Sequence, residues 1–79
     1  MQVDTNIRED IGRRIAAARK LVNLRQVDLA QVLGVNKYTV SKWERGKNLP
    51  DADTLYAMCK LMGVSSDFLL GLSDRVNNA

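Results

Sequence analysis

The 79-residue sequence has no histidine, one cysteine and few aromatic residues: one tryptophan, two tyrosines and one phenylalanine. The lone Cys59 cannot form an internal disulfide, which fits a reducing, cytoplasmic setting. Because the chain has no histidine, Cys59 also lacks a partner for a metal site or for an activated nucleophile. We therefore expect no enzyme activity, no cofactor and no metal, and interpret Cys59 as a small apolar filler of the core.

Long apolar runs are also missing. No stretch approaches the roughly 18 residues that span a bilayer, and the N-terminus lacks the apolar segment of a signal peptide. We therefore expect no membrane contact, and no small-molecule ligand is evident. Apolar residues make up 46% of the chain but aromatics only 5%, so the core must be aliphatic, which favours helices over strands.

Charge is distributed unevenly along the chain. Residues 1–49 carry ten basic and five acidic side chains, a net charge of +5, whereas residues 50–79 carry two and four, a net charge of −2. A chain with one basic end is suited to binding a polyanion with that end.

Apolar residues spaced three and four apart predict a first helix. Its stripe consists of Ile7, Ile11, Ile15, Ala18 and Val22. Four basic residues lie largely off this stripe: Arg8, Arg13, Arg14 and Lys20. Most of them are interpreted as a solvated face.

Capping residues and glycines predict four shorter helices after the first. The second helix of the chain covers residues 26–33. The predicted N-caps are Asn36, Asp51 and Ser65, and the closing glycines are Gly34, Gly46 and Gly63. We expect one domain at residues 7–72, with flexible ends at residues 1–6 and 73–79.

Residues 26–45 have the pattern of a helix-turn-helix. The predicted inward positions are Leu29, Leu33, Val35, Val40 and Trp43. Ala30 stands where the two helices cross, and Gly34 makes the tight turn between them. Such a turn leaves the second helix standing out from the surface, where it can enter a major groove.

Several spaced strings together resemble the lambda-repressor-like, Cro/C1-type (XRE family) helix-turn-helix regulators. They are residues 11–15 (IGRRI), 26–35 (QVDLAQVLGV), 40–47 (VSKWERGK), 49–50 (LP) and 61–70 (LMGVSSDFLL). The resemblance covers residues 7–72. It implies an all-α, five-helix lambda-repressor-like domain. It also implies a transcriptional repressor that binds a specific sequence of double-stranded DNA.

The resemblance also implies roles for individual residues. The positions that meet base edges are Lys37, Tyr38, Ser41 and Lys42, whose donors and apolar edges suit the major groove. The positions that hold phosphates are Gln26, Asn36, Thr39, Arg45 and Lys47. Arg19 and Glu44 match family positions that form an ion pair between the first and third helices.

One position departs from the family pattern. The family usually places serine or threonine before the glutamine of the second helix, where a hydroxyl caps the helix, and this chain has Arg25. Arginine cannot accept a hydrogen bond. Either the cap is lost, at about 1 kcal/mol, or Arg25 contacts a phosphate; we favour the phosphate contact.

The resemblance further suggests a homodimer that places two recognition helices about 34 Å apart on a pseudo-palindromic operator. The expected dimer contact is Phe68, Leu69, Leu70 and Leu72. Two alternatives remain open. The protein is an antitoxin or a controller of a restriction-modification or prophage operon with the same fold, or it is a protein-interaction module whose helix-turn-helix is only a scaffold.

Overall fold

The computed structural model describes residues 5–77, and all of its regular structure in that range is helical. The five helices are α1 (Thr5–Leu21), α2 (Gln26–Leu33), α3 (Lys37–Glu44), α4 (Ala52–Met62) and α5 (Ser66–Leu69). The predicted all-α class and the order of five helices are confirmed for these residues. The predicted N-caps Asn36, Asp51 and Ser65 each accept a backbone hydrogen bond through the side chain.

The buried core draws on every helix. Its members are Ile11, Ile15, Ala18, Leu29, Ala30, Val40, Trp43, Met58, Met62, Val64 and Leu69, with Leu33 and Val35 partly buried against them. The predicted stripe of α1 is buried only in its middle, because Ile7 and Val22 are 49% and 37% exposed. Ile7 lies in the first turn of α1, and Val22 directly follows its last residue, Leu21.

Gly12 sets the position of α3 against α1. A Cβ atom at this position would lie 2.5 Å from the carbonyl oxygen of Trp43 and 2.7 Å from that of Glu44. The backbones of the two helices therefore approach too closely for any side chain at residue 12. Gly12 thus allows α1 to support the second helix of the helix-turn-helix directly.

The two ends of the chain differ from the flexible segments that the sequence suggested. Helix α1 begins at Thr5, so residues 5 and 6 are helical, and residues 1–4 lie outside the described part. At the other end the N–H of Ser65 donates to the carbonyl of Val76 over 2.8 Å. Residues 73–77 are therefore held against the helices, and residues 78 and 79 lie outside the described part.

Arg14 is the main anchor of this C-terminal segment. Its guanidinium donates to the carbonyl oxygens of Phe68 and Ser73 over 3.0 and 2.9 Å, and to the carboxylates of Asp10 and Asp74. It also lies 5.1 Å from the centroid of the Phe68 ring. The hydrogen bond to Asp74 is the main cause that raises the pKa of Arg14. Arg14 is therefore an exception to the solvated face expected for most of the basic residues of α1, since its side chain is only 17% exposed.

Candidate nucleic-acid interface

A three-residue turn joins α2 to α3 and fixes their angle. Gly34 adopts a left-handed backbone conformation with φ of +70°, which glycine adopts without a Cβ penalty. The N–H of Val35 donates to the carbonyl of Ala30 over 2.9 Å. Asn36 then caps α3, because its side-chain oxygen accepts from the N–H of Tyr38 over 2.7 Å. The predicted helix-turn-helix is present.

Helix α3 has one buried and one outward face. Val40 is fully buried and Trp43 is 5% exposed, so these two side chains hold the helix on the core. On the other face Tyr38 is 65% exposed, and the Nζ atom of Lys37 lies 5.4 Å from the centroid of its ring. The structure brings the four predicted base-contacting residues together on this outward side: Lys37, Tyr38 and Lys42 are exposed and Ser41 is half-buried.

Glu44, the last residue of α3, forms the predicted ion pair with Arg19 of α1. The two N–O distances are 2.6 and 3.0 Å, and the side chains are only 7% and 11% exposed. Arg19 also donates to the carbonyl of Leu24 over 2.7 Å. The hydrogen bond to Glu44 is the main cause that raises the pKa of Arg19. This pair fastens α3 to α1.

Gln26 belongs to the same cluster. Its Nε2 atom donates to Oε1 of Glu44 over 2.9 Å, so the start of α2 lies beside the end of α3. The amide has two N–H donors. A phosphate contact by Gln26, as the sequence suggested, would have to use the second of them.

Arg25 and Asp28 form a second local pair at the start of α2. The guanidinium of Arg25 donates to both carboxylate oxygens of Asp28 over 3.0 and 2.9 Å, and the N–H of Arg25 also donates to this carboxylate. The side-chain hydrogen bond from Arg25 is the main cause that lowers the pKa of Asp28 to about 2. The hydroxyl cap is thus lost, and Asp28 supplies the reciprocal bond to the helix start. A phosphate contact by Arg25 stays a prediction.

These pairs leave a cationic surface. Between Gln26 and Leu49 only Asp28 and Glu44 are acidic, and each is bound to an arginine. Within residues 5–77 no ion pair involves the four cations of α3 and the following loop: Lys37, Lys42, Arg45 and Lys47. All four are exposed. This arrangement suits a polyanion, and each charge stays available for it.

The remaining predicted phosphate contacts lie around α3. Arg45 ends the helix and folds back so that its Nε atom donates to the carbonyl of Ser41 over 3.4 Å. Thr39 is half-buried, and Asn36 uses its side-chain oxygen as the helix cap. The amide N–H groups of Asn36 remain the part suited to an anion.

The predicted dimer contact needs a correction. Leu69 is fully buried in the core of one chain, so it cannot lie in an interface. Phe68 is half-buried beneath the Arg14 guanidinium. Only Leu70 and Leu72, which are 38% and 74% exposed, remain available to a second copy. Helix α5 has a single turn, so one of its apolar residues must face inward.

Two further features are absent from residues 5–77. No group of three metal-ligating side chains occurs there, and no helix in that range is long and apolar enough to cross a membrane. Burial raises the pKa of the Cys59 thiol and so disfavours the reactive thiolate. Cys59 is half-buried against the core, in agreement with its interpretation as a filler.

Comparison with known proteins gives consistent matches. The helix-turn-helix family model HTH_3 matches residues 15–69. The chain is 38% identical over 60 residues to Repressor protein C2 of Salmonella phage P22. This match covers 76% of the present chain and 28% of that protein. The chain is 36% identical over 61 residues to the HTH-type transcriptional regulator ImmR of Bacillus subtilis (strain 168), which covers 77% and 48%.

Among solved structures, the P22 c2 repressor in complex with the synthetic operator 9T superposes with a TM-score of 0.69 and 37% identity. The match covers 75% of this chain and 89% of that chain. The present chain spans less than half the length of the two curated relatives.

Proposed function

The chain belongs to the helix-turn-helix family of Cro/C1-type regulators, and we propose that it is a transcriptional repressor that binds a specific sequence of double-stranded DNA. The observation that carries this proposal is the outward face of α3, whose cations are unpaired within residues 5–77 while both nearby acids are bound to arginines. The P22 relative, a repressor solved in complex with a synthetic operator, supports the same proposal. A repressor of this kind acts in the cytoplasm and is not an enzyme.

The side chains proposed to contact DNA have two roles, which are base reading and phosphate binding. Lys37, Tyr38, Ser41 and Lys42 read base edges. Lysine donates to guanine O6 and N7, and the tyrosine ring offers an apolar edge to a thymine methyl group. The phosphate contacts come from Arg25, Gln26, Asn36, Thr39, Arg45 and Lys47, which fix the register without reading sequence.

The proposed active species is a homodimer on a pseudo-palindromic operator. Two copies related by a two-fold axis place their α3 helices in successive major grooves, about 34 Å apart. Leu70 and Leu72 are the apolar residues of the predicted contact that remain exposed. Analytical ultracentrifugation with and without operator DNA tests this part separately.

Fluorescence anisotropy with labelled duplexes tests the DNA-binding proposal. One duplex carries the region upstream of the protein's own gene, and the other carries the same bases in scrambled order. We expect the native duplex to bind at least about a thousandfold more tightly. An absence of binding to either duplex at low salt would favour a protein-interaction module instead.

Two lysine variants test the division of roles. Lys42→Ala should weaken binding to the native duplex more than to the scrambled one, because a base contact is lost. Lys47→Ala should weaken both about equally and reduce the salt dependence by about one unit of slope. Equal losses for both variants on both duplexes would contradict the division.

A further inference from the structure

A groove beside the end of α3 brings together two cations from distant parts of the chain. It is lined by Arg8 of α1, by Trp43 of α3, and by Lys47, Asn48 and Leu49 of the following loop. Arg8 is half-buried and Lys47 is exposed. Arg8 is one of the basic residues of which most were expected to form a solvated face, because the 38 residues between it and Lys47 hide their proximity.

The loop after α3 is fixed against the first turns of α1. Gly46 has φ of +74°, and a Cβ atom there would lie 2.9 Å from Cα of Glu9. The N–H of Gly46 donates to the carbonyl of Trp43, and the N–H of Lys47 donates to that of Lys42, over 3.1 and 2.9 Å. These contacts fix the backbone of Lys47 against the first turns of α1, so Lys47 and Arg8 line the same groove before DNA binds.

The two cations of the groove are free to bind an anion. Within residues 5–77 neither Arg8 nor Lys47 forms an ion pair. The carboxylate next along the chain is Glu9, which is exposed and forms no ion pair in that range. Two cations that lie together without a described counter-ion suit a group with a delocalised negative charge, and a guanidinium matches a phosphate through paired N–H donors.

We infer that Arg8 is a further phosphate-binding residue, which together with Lys47 takes one phosphodiester group of the DNA backbone in this groove. The inference rests on the proposed function and extends it from the helix-turn-helix to the first turn of α1. A backbone contact at this place anchors α1, and through Gly12 the helix α3 that it supports, on the DNA. The contact carries no base preference.

The test compares Arg8→Ala with Lys60→Ala, which removes one exposed cation of α4, and measures anisotropy with native and scrambled duplexes between 50 and 200 mM salt. Each released counter-ion contributes about 0.9 to the slope of log affinity against log salt. Arg8→Ala should therefore lower the slope by about one on both duplexes. Over this fourfold salt range the advantage of the wild-type protein should shrink about 3.5-fold. Lys60→Ala should keep the wild-type slope.

Two further variants guard against an indirect effect. Arg8→Lys should restore most of the slope, because it keeps the charge, and Glu9→Gln should tighten binding to both duplexes by removing a carboxylate next to the groove. Circular dichroism confirms that each variant is folded. Equal slopes for Arg8→Ala and Lys60→Ala would overturn the inference while leaving the proposed function intact. If the wild-type protein binds neither duplex, both fail.

Discussion

The helix-turn-helix and the two helices that follow it differ in how their acidic side chains are paired. In α2 and α3, Asp28 and Glu44 are each bound to an arginine, so the surface is left to unpaired lysines. In α4 and α5, Asp53 and Asp67 stand exposed in the first turn, where the helix dipole favours them, and neither forms an ion pair within residues 5–77. Internal pairing leaves the net charge of each region unchanged, but it removes free carboxylates from the surface of the helix-turn-helix and leaves those of α4 and α5 exposed.

The largest expected effect comes from breaking the ion pair between Glu44 of the helix-turn-helix and Arg19. Glu44→Ala leaves the Arg19 guanidinium buried without its partner, which should cost about 3–5 kcal/mol of unfolding free energy. Asp53→Ala removes an exposed acid from the second region and should cost only about 0.3–1 kcal/mol. Urea denaturation followed by circular dichroism measures both. Similar losses for the two variants would show that the acids are not used differently.

The next effect distinguishes buried from exposed leucines in the second region. Leu69→Ala should cost about 2–5 kcal/mol because it opens a cavity in the core. Leu72→Ala, at a side chain that is 74% exposed, should cost less than about 0.5 kcal/mol and weaken only self-association. Thermal denaturation and sedimentation together measure these effects. A stable Leu69→Ala variant that no longer self-associates would restore Leu69 to the dimer contact.

The smallest effect concerns acid stability at the start of α2. The pKa of Asp28 is lowered from 3.8 to about 2, chiefly by the Arg25 side chain, so its ionised form stabilises the folded state. This contribution is complete above pH 3.8 and is lost as the pH falls towards 2. Asp28→Asn should lower the melting temperature at pH 5, and the difference from wild type should shrink below pH 3.8 and disappear as the pH falls through 2. A difference that does not change with pH would contradict the assignment.

Sequence patterns predicted the helix-turn-helix well because its signals are local. Leu29, Ala30, Val40 and Trp43 are all buried as periodicity required, and Gly34 makes the predicted turn. Such positions depend on neighbours three or four residues away, which the sequence displays directly.

Long-range contacts escaped the sequence because their partners carry no signal. Arg14 donates to the carbonyl oxygens of Phe68 and Ser73, 54 and 59 residues away, and any residue type offers a carbonyl. Gly12 has its role only once α3 crosses α1. The burial of Leu69 was missed for a related reason, since α5 is too short for its periodicity to separate an inward face from an outward one.

The difference between the two regions is tested most directly by titrating isotopically labelled protein with the native duplex and following the backbone amide resonances. Our expectation is that the largest shifts fall on α3, on residues 46–49 and on the start of α2, with a smaller group at the first turns of α1. Shifts concentrated on α4 and α5 would contradict it, because DNA would then contact the acidic region and the cationic face of α3 would have another role.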